Sequence, residues 1–240
     1  MKLPASKKSI FIIIISFFFI QLISCLTEIK GSGDIVQQSI PIASFTSIDL
    51  AIDANVTLVL GEQQSVEILA QQNIIENIKT RVKSNKWVIE FEKNVRSHDP
   101  IDIIIVIPEI KGISISGSGE VYSDDYFETD LLDLSISGSG VIDLITNTNQ
   151  TDASISGSGD IYISGTTSEQ SISISGSGNY YGFNFESINC DVSISGSGNC
   201  EIFVTSNLVV SISGSGNVYY TGNPVVNSSI TGSGQVIQSN

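Results

Sequence analysis

The 240 residues carry 25 acidic against 11 basic side chains, a formal net charge of −14 at pH 7. No Lys or Arg follows Lys111, whereas thirteen Asp and Glu lie between Glu120 and Glu201; a phosphate-binding surface needs cations to displace counterions, which excludes nucleic acid and anionic lipid as ligands of the C-terminal half. One histidine and three cysteines are too few for a Cys/His metal centre or a disulfide framework.

Lys2, Lys7 and Lys8 precede an apolar run over residues 10–20, broken only by Ser16. Even extended through Leu22 and Ile23, the run falls short of the ~20 residues that a bilayer-spanning helix needs. A basic start with a short apolar core reads as a secretory signal. It ends in Leu22-Ile23-Ser24-Cys25, which resembles the bacterial lipoprotein box, where a small residue precedes the cysteine that is acylated and becomes the mature N-terminus. Residues 1–24 are therefore expected to be a lipoprotein signal peptide, Cys25 the lipidation site and residues 25–34 a tether. The competing reading, an uncleaved anchor with Cys25 an incidental thiol, is disfavoured because no charged stop-transfer cluster follows. Thr27, not Asp, stands two residues beyond Cys25. By resemblance to Gram-negative sorting signals this disfavours inner-membrane retention and leaves the outer membrane, on either its periplasmic face or the cell surface. Removing residues 1–24 takes away three lysines and no acid, which carries the net charge from −14 to −17.

Residues 35–110 form a β-rich part. Strands are expected over 47–52, 56–60, 65–69, 87–91 and 101–107, the last apolar enough to be buried on both faces. Residues 74–82 suggest a short helix, since Ile75, Ile78 and Val82 would share one side. His98 stands in a polar loop with Arg96, Ser97, Asp99 and Pro100. A Ser-His-Asp triad would require that loop to meet one of many serines, and a solvated histidine is the simpler reading. No Gly/Ser/Pro linker follows Pro108, so this part is expected to continue and cap whatever comes after it.

Residues 111–240 are built on a repeat. Ile-Ser-Gly-Ser-Gly places its first glycine at 117, 138, 157, 176, 196 and 214, and Ile230-Thr231-Gly232-Ser233-Gly234 closes the series. Periods near 20 residues mean stacked units that cannot bury their apolar side alone. Ser171-Ile172-Ser173-Ile174-Ser175 alternates with period two, which sends Ile to one face and Ser to the other. Beyond each Gly-Ser-Gly the inner phase resumes at Val121, Ile142, Ile161, Tyr180, Cys200, Val218 and Val236. A coil of about 19 residues at ~3.3 Å each gives roughly 60 Å of path, enough to circle a narrow core once. The expected fold is thus all-β, a right-handed single-stranded parallel β-helix, its hand set by the chirality of parallel crossovers. A meander sandwich would need regular hairpin turns, and the intervening segments lack Asn-Gly or Asp-Gly pairs. Asn179, Asn199 and Asn217 follow the repeat at the same position, so their amides should hydrogen-bond along the axis as a ladder.

Several chemistries can be weighed on this scaffold. Gly-Ser-Gly-Asp160 is superficially like a calcium-binding repeat, but an acid occupies that position in two of seven repeats only (Glu120 and Asp160). Paired carboxylates on neighbouring coils, Asp133 with Asp152 or Asp124 with Asp143, could do acid/base work on a polysaccharide. Such acids are more often a solvated face, and a lyase acting on acidic sugars would want a nearby cation. Tyr122, Tyr162, Tyr180, Tyr181, Tyr219 and Tyr220 could stack on sugar rings; the competing reading, that they cap coil edges or fill the core, fits best Tyr180 and Tyr220, which keep the inner phase. Cys190 and Cys200, half a coil apart and inward, are expected to be buried thiols rather than a bridge.

The chain resembles the head GIN domain family of autotransporter adhesins. The matching segments are Phe45-Thr46-Ser47-Ile48, Val56-Thr57-Leu58, Val66-Glu67-Ile68, Lys86-Trp87-Val88-Ile89-Glu90, residues 103–108 and the Ile-Ser-Gly-Ser-Gly repeats. The resemblance covers about residues 35–237 and implies a β-helix-like fold and an adhesin role, with no functional residues to carry over. No segment of the sequence reads as a translocator barrel, so the autotransporter part of that name is not expected to fit it. The expectation is a non-catalytic cell-envelope lipoprotein that binds or scaffolds. Its partners would be the membrane through the lipid and a glycan or protein ligand at the cell surface, and no cofactor or nucleic acid is implied. The alternative is a polysaccharide-active hydrolase or lyase on the same scaffold.

Overall fold

A computed structural model describes residues 28–239; Cys25 and the signal segment lie outside the described residues. The N-terminal part comprises β1 (Ile29–Lys30), β2 (Ile35–Ser39), β3 (Ser47–Leu50), β4 (Asn55–Leu60), β5 (Ser65–Gln71), α1 (Gln72–Ile75), β6 (Val82–Lys83), β7 (Lys86–Ile89), β8 (Val95–Ser97) and β9 (Asp102–Ile107). The repeats give β10 (Gly112–Ile115), β11 (Glu120–Ile136), β12 (Val141–Gly157), β13 (Asp160–Gly176), β14 (Asn179–Gly196), β15 (Cys200–Gly214), β16 (Asn217–Thr221), β17 (Val225–Gly232) and β18 (Gln235–Gln238).

From β10 onward every strand pairs in parallel with the next coil. The result is a β-solenoid of about 7 turns with ~19-residue coils. The Ile/Ser alternation drives the stacking. Ile136, Ile155, Ile174, Ile194 and Ile212 align coil on coil, each 1% exposed, while Ser156 and Ser175 face solvent. The residues that resume after Gly-Ser-Gly, from Val121 to Val218, are all buried.

Glycine turns the corner because neighbouring backbones touch there. Ser177 and Gly178 both donate their N–H to the Gly157 carbonyl, at 2.8 and 3.0 Å. A Cβ on Gly176 or Gly178 would collide with the carbonyl oxygen of Gly157 or Gly159. Gly176 also adopts φ +136°, which a side chain would strain.

The N-terminal part continues the stack and then closes it. Below β10 lie β3 and β7, and below β11 lie β4 and β9, all parallel. Antiparallel strands finish the end: β5 on β9, β2 on β5 and β6 on β7. Two expectations need correcting. The helix over 74–82 shrinks to Gln72–Ile75, because Ile78 bridges to Phe91 and Asn77 exchanges hydrogen bonds with the Lys93 backbone, at 2.8 and 3.1 Å. These tertiary bonds outcompete a helix with too few turns to stand alone. In β9, Ile103, Ile105 and Ile107 are buried but Ile104 and Val106 are only half-buried, since a solenoid wall has a single inner face.

At the other end Ile230 stacks on Ile212 yet is 42% exposed, because no described residue covers the last coil. Among the described residues no helix is long and apolar enough to cross a membrane.

Candidate binding face

Five residues past the first glycine of each repeat, an outward column runs along the wall: Tyr122, Asp143, Tyr162, Tyr181, Glu201 and Tyr219. They are neighbours in register from β11 through β16. Period two puts them outside because Val121, Ile142 and their equivalents, one position earlier, point in. The Tyr162 and Tyr181 rings stack with centroids 4.5 Å apart and planes 11° from parallel. That separation is close to the ~4.8 Å between coils, so the backbone itself sets the stacking. Tyr122 and Tyr162 are 43% and 39% exposed, more than soluble proteins usually leave aromatic rings.

Carboxylates punctuate the column. Burial, with Asp124 adding repulsion, raises the Asp143 carboxyl above its ordinary range. Burial followed by the nearby Asp160 charge raises the Tyr181 phenol. The flank is a hydrogen-bonded ladder. Asn179 donates through its backbone N–H and side-chain amide to Asp160 Oδ1, at 3.1 and 2.9 Å. Asn199 does the same to Asn179, and Asn217 to Asn199; the Gln235 N–H ends the series on Asn217 Oδ1. The expected Asn ladder is therefore present, and it begins one coil earlier than expected, at Asp160. A surface of tyrosine rings edged by amides and carboxylates can hold the C–H face of a sugar against an aromatic plane while its hydroxyls donate to oxygen acceptors.

The other sequence candidates fare differently. Asp133 and Asp152 are register neighbours, and the Asp124 charge adds to the shift of Asp143, whose register partner on β11 is Tyr122. His98 does not meet a serine: its Nδ1 lies 2.7 Å from the Asp99 carbonyl oxygen and its ring lies edge-on to Phe91. Among the described residues no group of three or more His, Cys, Asp or Glu could hold a metal ion.

Tyr180 is buried, as its phase implied, and Tyr220 is partly buried. The Tyr180 hydroxyl accepts a hydrogen bond from Gln170 Nε2 across the core, and burial pushes the phenol well above its usual range. One coil on, Cys190 stacks on Gln170 and Cys200 on Tyr180. Both are buried free thiols, raised first by burial. A buried polar corner escaped the sequence reading: the Thr148 hydroxyl bonds to Thr151 and Thr167, at 2.7 and 2.8 Å.

The family described as "Putative auto-transporter adhesin, head GIN domain" matches residues 44–224. A crystal structure of a putative adhesin from Bacteroides fragilis NCTC 9343 is similar, with TM-score 0.83 and 24% identity, over 88% of this chain and 100% of the other. A putative lipid binding protein from Parabacteroides distasonis ATCC 8503 gives TM-score 0.75 and 20% identity over 89% and 100%. A putative adhesin from Parabacteroides merdae ATCC 43184 gives 0.72 and 21% over 89% and 99%. No curated protein matches the chain.

Proposed function

The chain belongs to the head GIN domain family, and we propose from that premise that it is a non-catalytic binding module of the cell envelope whose tyrosine face holds a neutral glycan. The carrying observation is the stacked pair of exposed Tyr162 and half-buried Tyr181 within a column that has carboxylates but no cation. An anionic glycan would be repelled by Asp143 and Glu201, while an uncharged one finds acceptors for its hydroxyls. Adhesin and lipid-binding descriptions of the structural neighbours are both binding roles, which accords with this reading.

The test is retention on insoluble neutral polysaccharides: cellulose, xylan, mannan and chitin. The chain should be retained by at least one, and Tyr162→Ala with Tyr181→Ala should release it while leaving the fold intact. Retention by none, or retention indifferent to both substitutions, contradicts the reading.

The envelope location follows from Cys25, which we propose carries lipid, starts the mature chain and anchors it in the outer membrane. Intact-mass analysis of the membrane-extracted protein should find an acylated Cys25 at the N-terminus. An unmodified Cys25, or a chain that starts at Met1, contradicts it. A second reading is a polysaccharide hydrolase or lyase, favoured by one observation: Asp143, raised and beside Asp124, has the character of a general acid.

A further inference from the structure

The cations of this acidic chain are gathered at one end. Between Asn77 and Ile89 stand Lys79, Arg81, Lys83 and Lys86 without a single acid. Lys93, Arg96 and Lys30 follow nearby, on or beside the paired strands β1 and β8. Around the hairpin lie the acids Glu28, Asp34, Asp49, Glu76, Glu90, Glu92 and Asp99, Asp49 in register with Val88, so the positive charge is concentrated in the hairpin itself. Only two ion pairs form among the described residues: Lys79 with Glu90 at 2.8 Å and Lys111 with Glu109 at 3.1 Å. Arg81 and Lys83 are exposed and face no carboxylate within ion-pair distance.

The fold holds this group rigidly and at the extremity. Strand β6 is the last in the sheet order on the N-terminal side, and Lys83 pairs with Lys86 across a tight hairpin. Its two turn residues, Ser84 and Asn85, have φ of 51° and 59°, as a mirror-image two-residue turn requires. The Asn85 carbonyl accepts the N–H groups of Thr46 and Ser47, at 2.9 and 3.1 Å, and Trp87 Nε1 donates to the Lys79 carbonyl at 2.9 Å. The chain enters the fold at this same end, where the Ile29 N–H donates to Asn94, four residues after Cys25.

We propose that this hairpin end seats on an anionic phospholipid surface. Charge complementarity selects that occupant: the rest of the molecule is acidic and is repelled by such a surface, so the rod would stand on its cationic hairpin. The cellular meaning rests on the lipid-tether reading of Cys25, but the contact itself requires no acyl chain.

The test is flotation of residues 26–240, which contain the whole core, with phosphatidylcholine vesicles and with vesicles that also contain phosphatidylglycerol. The chain should float with the anionic vesicles only, and added salt should release it. Each cation near the surface contributes about five-fold in affinity, so Arg81→Ala with Lys83→Ala should weaken binding about twenty-five-fold. Glu186→Gln, on β14 and several coils away from this end, should leave it unchanged. No flotation of folded protein, equal flotation with both vesicles, or equal loss in Glu186→Gln would overturn the proposal. None of these outcomes bears on whether Cys25 is acylated, which the mass of the mature chain decides separately.

Discussion

Ile174 and Ser175 are adjacent in β13, yet one is 1% exposed and the other faces solvent. Ile174→Ala removes packing from a stacked row that cannot readily collapse, so it should cost about 2–5 kcal/mol, whereas Ser175→Asn should be nearly silent. Denaturant titration of both variants checks this; equal losses would mean the inward phase is wrong. Asp143 offers a pH test. Burial and Asp124 raise its carboxyl, so the folded chain binds this proton more tightly than the unfolded chain does. The charged form therefore costs stability above the folded pKa, and the cost vanishes as pH falls through that value towards the ordinary aspartate range. Asp143→Asn should raise the thermal midpoint at neutral pH, with an advantage that shrinks on acidification. An advantage independent of pH would contradict that assignment. Phase and ladder were legible because period-two alternation and the fixed position after Gly-Ser-Gly are local properties. The Tyr122–Tyr219 column is legible in principle, at a constant offset of five from each first glycine, but residue type alone does not mark Asp143 and Glu201 as its members. The Thr148, Thr151 and Thr167 corner was not legible, since a buried hydroxyl is satisfied by partners that only the folded coil supplies.

At the scale of the element, long strands such as β12, which runs unbroken over Val141–Gly157, bend around the core; β12 keeps one register with β13, and against β11 the register shifts between Tyr122 and Tyr126. Where local pattern and tertiary bonding disagreed, tertiary bonding won. Ile75, Ile78 and Val82 have helical spacing, but Ile78 is claimed by Phe91 and Val82 pairs with Trp87. The run in β9 looked buried on both sides because composition alone does not reveal that a coil wall has water behind it. The last coil differs from its predecessors: Val225 and Ile230 are 64% and 42% exposed, and β17 pairs on one side only. Elements with few buried contacts open first. Amide hydrogen exchange should therefore be fastest in β17 and β18 and slowest in β12 to β14, as a gradient along the axis. Uniform protection would contradict the one-dimensional stacking that the repeat implies.

The whole molecule is a rod with a division of charge: a capped end that carries the cationic hairpin, an acidic wall, and a final stretch after Glu201 with no Asp, Glu, Lys or Arg. The tyrosine column lies on the acidic wall. Its function reading turns on whether those rings hold a sugar passively or whether the Asp124–Asp143 pair beside them cuts it. Both outcomes can be read in one measurement: retention of the chain on a neutral polysaccharide, with release of reducing or unsaturated ends followed in the same tube. The account predicts retention without release of ends, lost in the Tyr162→Ala, Tyr181→Ala variant and kept in Asp143→Asn. Release of ends by the wild-type chain, abolished by Asp143→Asn, would contradict it and make this wall an active site.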